Sequence, residues 1–69
     1  MRNDIFLIEM GKKIRERRKA QKISLQKLSE VTGIDLSNLS FLERGQRNCH
    51  ILSLKSIADC LNLNIKELL

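Results

Sequence analysis

Cys49, His50 and Cys60 are the residues of this sequence best known as nucleophiles or metal ligands. A closed zinc site needs four ligands on spacings that a turn or helix can bring together, and one His with two Cys so placed does not supply them. His50 has no evident nucleophile or carboxylate companion, and the chain has no glycine-rich phosphate loop. The sequence therefore argues against an enzyme and calls for no metal or cofactor. One disulfide between the two Cys is conceivable, but small helical domains rarely need one, and the expectation is two buried or idle thiols.

Binding chemistry has better material. In GIDLSNLSFLERGQRN, residues 33–48, the apolar Leu36 and Phe41 alternate with Ser37, Asn38 and Ser40, and Arg44, Gln46, Arg47 and Asn48 follow at once. A solvated helix face would carry charges at such positions, and a core face would hide them. That face fits neither description, and its use is the question the chain poses.

The overall charge bears on that question. Thirteen Lys or Arg stand against eight Asp or Glu, a net charge of +5, which favours a polyanion such as nucleic acid or an anionic membrane surface. The excess is concentrated: Lys12, Lys13, Arg15, Arg17, Arg18, Lys19 and Lys22 face only Glu16 in their stretch, whereas after residue 51 Asp59 and Glu67 cancel Lys55 and Lys66. A solvated helix face is the plain alternative for that run. IFLI, residues 5–8, is far too short for a spanning helix or a signal peptide, so no membrane partner is expected and the protein is placed in the cytoplasm.

These side chains need positioning, and the elements are legible. Sixty-nine residues with no Pro, three Gly and only two aromatics make one small domain whose core must be built from Leu, Ile and Val. No β-like alternation of useful length occurs, so the class is all-α. Asn3 or Asp4 can cap a first helix to about Ala20, with Met10, Ile14 and Arg18 on one side. Ile23 closes a turn, and Ser24 caps a second helix with Leu25, Leu28 and Val31 as its apolar positions. Gly33 supplies a left-handed helix end. Asp35 caps a third helix to about Arg44, with Leu39 and Leu42 inward and Gly45 as its stop. A fourth, about 51–61, is expected to bury Ile51, Leu54, Ile57 and Leu61, with Ala58 allowing close approach. Asn62 and Asn64 bracket a turn before a last helical turn or two over 65–69.

Two short helices joined by Thr32-Gly33-Ile34-Asp35 have the form of a helix-turn-helix over about 24–44. MGKKIRERRKAQKIS (10–24), SLQKLSEVTGI (24–34), LSFLERGQRN (39–48) and LKSIADCLNLNIKELL (54–69), in that order and spacing, resemble the Cro/C1-type, or XRE-family, DNA-binding domains. ERGQRN is most similar to the small controller proteins of restriction-modification systems. The resemblance implies a compact five-helix, λ-repressor-like domain spanning residues 1–69, and a third helix, about 36–44, that lies in the major groove of double-stranded DNA.

Carried over position by position, the resemblance assigns base contacts to Leu36, Ser37, Asn38, Ser40 and Phe41. Asn38 suits adenine through its paired donor and acceptor, and Leu36 and Phe41 suit thymine methyls, so A·T-containing half-sites are expected. Phe41 has a second place to go, back over Ile34 or the domain edge. Phosphate contacts fall to Ser24, Leu25, Gln26 and Lys27 at the start of the second helix, and to Arg44, Gln46, Arg47 and Asn48 after the third. Leu25 stands where many relatives have Gln, so contact there rests on backbone amides, Gln26 or Lys27. Among the cations of the first helix, Lys12 and Arg15 are the ones expected to help. The resemblance also pairs Arg18 with Glu43 as a structural ion pair. Lys22 stands where relatives have Gly, which implies either strain or a different turn.

One domain of this size reads too few base pairs for useful specificity. A homodimer would read two half-sites roughly 34 Å apart. Leu63, Ile65, Leu68 and Leu69, in the segment 61–69, are the expected dimer face, ahead of IFLIEM at residues 5–10; ordinary core closure is the alternative for both. The expected function is a dimeric, sequence-specific transcription regulator on a pseudo-palindromic operator, with no small-molecule effector evident. The alternative is a protein-interaction module, antitoxin-like or adaptor, that uses the apolar face of the third helix.

Overall fold

Local signals in the chain set where each helix begins and ends. The structure, a computed structural model, describes residues 4–69, and all regular structure among them is helical: α1 (Asp4–Ala20), α2 (Leu25–Thr32), α3 (Leu36–Glu43), α4 (Ile51–Cys60) and a closing 3-10 turn, Ile65–Glu67. Ser24 caps α2 by accepting a hydrogen bond from the Lys27 amide at 3.0 Å, and Gly33 ends it in the left-handed region, at φ 76°. Side chains such as Lys or Val reach that region only at a cost, which is why glycine serves here. The cap expected at Asn3 lies outside the described residues, and Asp4 is already within α1.

The last element is shorter than the fifth helix expected from the sequence. Asn64 and Glu67 form a reciprocal capping box around a single turn with i→i+3 bonds, Glu67 to Asn64 at 2.8 Å and Leu68 to Ile65 at 3.0 Å. Three residues held between their own caps have no room to become an α-helix.

The core is aliphatic. Met10 and Ile14 from α1, Leu28 from α2, Leu39 and Leu42 from α3, and Leu54, Ile57, Ala58 and Leu61 from the α4 region are all buried, with Leu68 closing one end. α1 packs on α3, α2 touches both α3 and α4, and the 3-10 turn rests on α4. The α1–α3 approach is close enough to need Gly11, where a Cβ would run into the Leu42 carbonyl oxygen and stand 2.8 Å from that of Glu43.

Two apolar positions expected inside lie outside. Val31 is 56% exposed and Ile51 is 53% exposed. Val31 sits in the last turn of α2 and Ile51 opens α4, so both lie at helix ends. Leu68, expected at a dimer face, is 1% exposed within the protomer and belongs to the core instead.

Candidate nucleic-acid interface

The turn between α2 and α3 is held by side chains that the sequence reading passed over. The Ser29 hydroxyl donates to the Ile34 carbonyl at 2.6 Å, that of Thr32 donates to the Leu28 carbonyl at 2.7 Å, and the Ile34 amide donates to the Thr32 oxygen at 3.2 Å. Small hydroxyl side chains next to a glycine are the available signal for such a turn. Its effect is to hold the start of α3 at a set angle to α2.

On that platform α3 buries Leu39 and Leu42 and turns Leu36, Ser37 and Asn38 outward. Leu36, at 45% exposed, joins Leu25, Ser37, Ser40, Phe41 and Arg44 around one shallow surface depression. Leu25 is half-buried against the core. Its side chain is therefore apolar filling between the helices, and any anion contact at this point uses the helix start: Ser24 satisfies the Lys27 amide, and the Leu25 and Gln26 amides are donors the helix itself does not use. Gln26 and Lys27 are exposed beside them. Asp35 occupies the cap position of α3, but its side chain makes no capping hydrogen bond.

Phe41 lies beside Leu36, Ser37 and Ser40 and carries two arginines on its ring. It is half-buried, and the guanidinium carbons of Arg44 and Arg47 lie 4.9 and 4.8 Å from its ring centre. Each such cation–π contact at an exposed site is worth about 0.5–1 kcal/mol. Arg44 also donates from Nε to the Ser40 carbonyl at 3.3 Å, and Arg47 donates from Nη1 to Oδ1 of Asn38. The two arginines are thus gathered onto the outward face of α3. Asn38 and Arg47 stand nine positions apart with no periodicity linking them, so nothing in the sequence announces their pairing.

The loop after α3 is ordered by its own backbone. The Gln46 amide returns to the Phe41 carbonyl at 2.9 Å, Gly45 turns at φ 72°, and Asn48 Oδ1 accepts from the Cys49 amide at 2.8 Å. Gln46, Arg47 and Asn48 remain exposed along this path. Cys49 is half-buried, and that burial raises its thiol above the ordinary value.

Behind the interface, Arg18 and Glu43 form a two-pronged pair, Nε to Oε2 at 2.7 Å and Nη2 to Oε1 at 3.0 Å, and Arg18 Nη1 reaches the Ile23 carbonyl at 2.9 Å. The hydrogen bond to Glu43 raises the Arg18 pKa, desolvation works against that rise, and the carboxylate charge adds to it. Lys12 and Arg15 are exposed on α1.

Leu63, Ile65 and Leu69 lie in the closing segment. Leu63 and Ile65 are half-buried beside Lys55 and Asp59, and Leu69 is 58% exposed. Arg17 ties the same segment to α1 through Glu67 at 3.1 Å. Ile5, Ile8 and Leu52 are further exposed apolar residues, of which only the first two lay in a segment singled out from the sequence. Among the described residues no helix is long and apolar enough to cross a membrane.

Comparisons with known proteins agree with this architecture. Residues 14–68 match the helix-turn-helix family HTH_3. No curated protein sequence matches significantly. Among solved structures, the chain is similar to the restriction-modification controller protein C.AhdI from Aeromonas hydrophila, at 33% identity and a TM-score of 0.86, over 91% of this chain and 96% of that one. It is also similar to the N-terminal DNA-binding domain of SinR from Bacillus subtilis, at 32% identity and a TM-score of 0.80, over 86% and 87% of the two chains. The DNA-binding domain of BldD is 26% identical over 99% of both chains, with a TM-score of 0.83. With four packed helices, a glycine turn and an exposed third helix matched over most of its length, this chain belongs to the Cro/C1-type helix-turn-helix family of DNA-binding transcription regulators.

Proposed function

We propose that this protein is a sequence-specific regulator that binds a pseudo-palindromic operator as a homodimer, each copy laying α3 in the major groove. The helix-turn-helix over 24–44 reads the DNA, and residues 61–69 hold the partner. The observation that carries the reading is the outward face of α3, where Ser37 and Asn38 are exposed and Arg44 and Arg47 are drawn in beside them. Ser37 and Asn38 supply hydrogen bonds to base edges, and Leu36 supplies apolar contact. Arg44 and Lys27, with the α2 amides, supply phosphate contact.

The dimensions allow pairing. The domain is 33 Å in its longest dimension, so two copies with that axis along the duplex would meet on half-sites roughly 34 Å apart. Leu63, Ile65 and Leu69 are the partner-facing residues in this reading, since Leu68 is spent on the core. Likeness to C.AhdI over nearly the whole of both chains supports a controller-type regulator of a restriction-modification system.

The test is selection of bound sites from a random duplex library, then titration of the best site in rising salt. The expected result is a palindromic consensus. Six phosphate contacts across a dimer would also weaken binding about a thousandfold between 50 and 200 mM salt. No enriched site would reject the reading.

The apolar depression of Leu25, Leu36 and Phe41 favours one other reading, an antitoxin-like or adaptor module that docks on a protein. Such an interface would hold its affinity as salt rises.

A further inference from the structure

We propose that Asn38 and Arg47 act as one base-reading unit, in which Arg47 fixes the Asn38 amide with its donor outward and so selects guanine rather than adenine. The inference rests on the DNA-binding reading above and names a specificity-determining pair within it.

An unattached Asn reads adenine with both ends of its amide, Oδ1 accepting from N6 and Nδ2 donating to N7. Here Oδ1 already accepts from Arg47 Nη1. That bond takes one of the two lone pairs and sets a positive guanidinium beside the other. Adenine's N6 amino group would arrive as a donor among donors. Guanine offers O6 and N7, both acceptors, to the Nδ2 amino group and the guanidinium edge, and Arg is the side chain most often found on that pair of atoms.

Arg47 is also placed for this role and not free to leave it. Its guanidinium lies 4.8 Å from the Phe41 ring centre, so stacking and hydrogen bonding restrain the same planar group. Lys would keep the charge but has no planar fork to bridge ring and amide. Arg44, restrained on the same ring and bonded to the Ser40 carbonyl, has no link to Asn38 and is left for phosphate.

The test is site selection with the full-length wild type and with the Arg47→Ala, Arg47→Lys and Asn38→Ala variants, with affinities for the best site and its single-base changes. Wild type should prefer guanine at one position of each half-site. Arg47→Ala should lower that preference roughly tenfold and raise adenine at the same position, because Asn38 regains its acceptor. Arg47→Lys should lose the same preference while keeping more of the affinity and salt slope than Arg47→Ala. A protein carrying both Asn38→Ala and Arg47→Ala should lose no more discrimination than the worse single variant. Both side chains are exposed, so melting temperatures should stay close to wild type. An unchanged consensus, with every sequence weakened equally, would make Arg47 a phosphate contact and overturn the pairing alone. A wild type that selects no sequence would overturn the DNA-binding reading and this proposal with it.

Discussion

Arg18 holds the Glu43 carboxylate through two nitrogen donors, at 2.7 and 3.0 Å, across a gap of twenty-five residues between α1 and the end of α3. Both side chains are largely shielded from water, 12% and 5% exposed. Glu43 therefore ties the end of α3 to α1.

Removing one partner strands the other charge in a dry site, at a cost of about 3 kcal/mol or more. A domain of this size has a total stability on the order of 5 kcal/mol. Glu43→Ala should consequently lose DNA binding by unfolding, with a clear drop in melting temperature by circular dichroism. A variant that melts like wild type but fails to bind would reject the unfolding account.

Gly11→Ala should destabilise the fold although Ala favours helix by about 1 kcal/mol. The added methyl meets backbone, the Leu42 carbonyl and the Glu43 carbonyl at 2.8 Å, and backbone cannot rotate away. Overpacking of this kind costs about 1–3 kcal/mol and would push α1 from α3. Urea denaturation gives the sign, and a gain in stability would contradict the close approach.

Lys22 turns at φ 59°, the left-handed region that a long side chain enters at a cost of about 1 kcal/mol or more. Lys22→Gly removes that strain but loosens the unfolded chain by about 0.4–1 kcal/mol. The net expectation is a small gain in stability, read as a rise in melting temperature, with Lys22→Ala giving none. Asn62 at φ 57° offers the contrast, since Asn tolerates this region and Asn62→Gly should change little.

Phe41→Ala releases Arg44 and Arg47 from their common ring. If each contact restrains its cation, DNA affinity should fall by about tenfold, the equivalent of two exposed cation–π contacts. Phe41→Leu should fall nearly as far, because it restores apolar volume without a π face. Leu binding as well as Phe would show that bulk alone matters.

Burial raises the Cys49 thiol above its ordinary value of 9.0. The fold favours the neutral thiol, so this contribution to stability is complete below the unfolded value and fades as pH climbs through the folded one. At pH 8 Cys49 should be alkylated by iodoacetamide more slowly in the native protein than in denaturant. Equal rates would place the thiol in water.

Much of this molecule is readable along the chain. Ser24, Gly33 and Asn64 mark helix ends because caps act within three or four residues, and the local sequence contains the whole interaction. The buried stripe of Leu54, Ile57, Ala58 and Leu61 follows from helical periodicity for the same reason. The left-handed turn at Lys22 is legible only through the family resemblance, in which Gly stands at that position.

Tertiary structure decided where each stripe runs out. Val31 and Ile51 obey the period yet lie outside, because burial also requires a neighbouring element opposite. Leu68 is core and Leu69 is surface for the same reason, although the two are chemically identical. The candidate interface divides likewise. Its residue types, the exposed start of α3 and the i, i+3 spacing of Phe41 and Arg44 are written in the chain, whereas the joining of Arg47 to Asn38 and Phe41 depends on the loop after α3 folding back over that helix. Caps and periodicity are short-range and survive in the sequence; contact between separated side chains exists only once the backbone has brought them together.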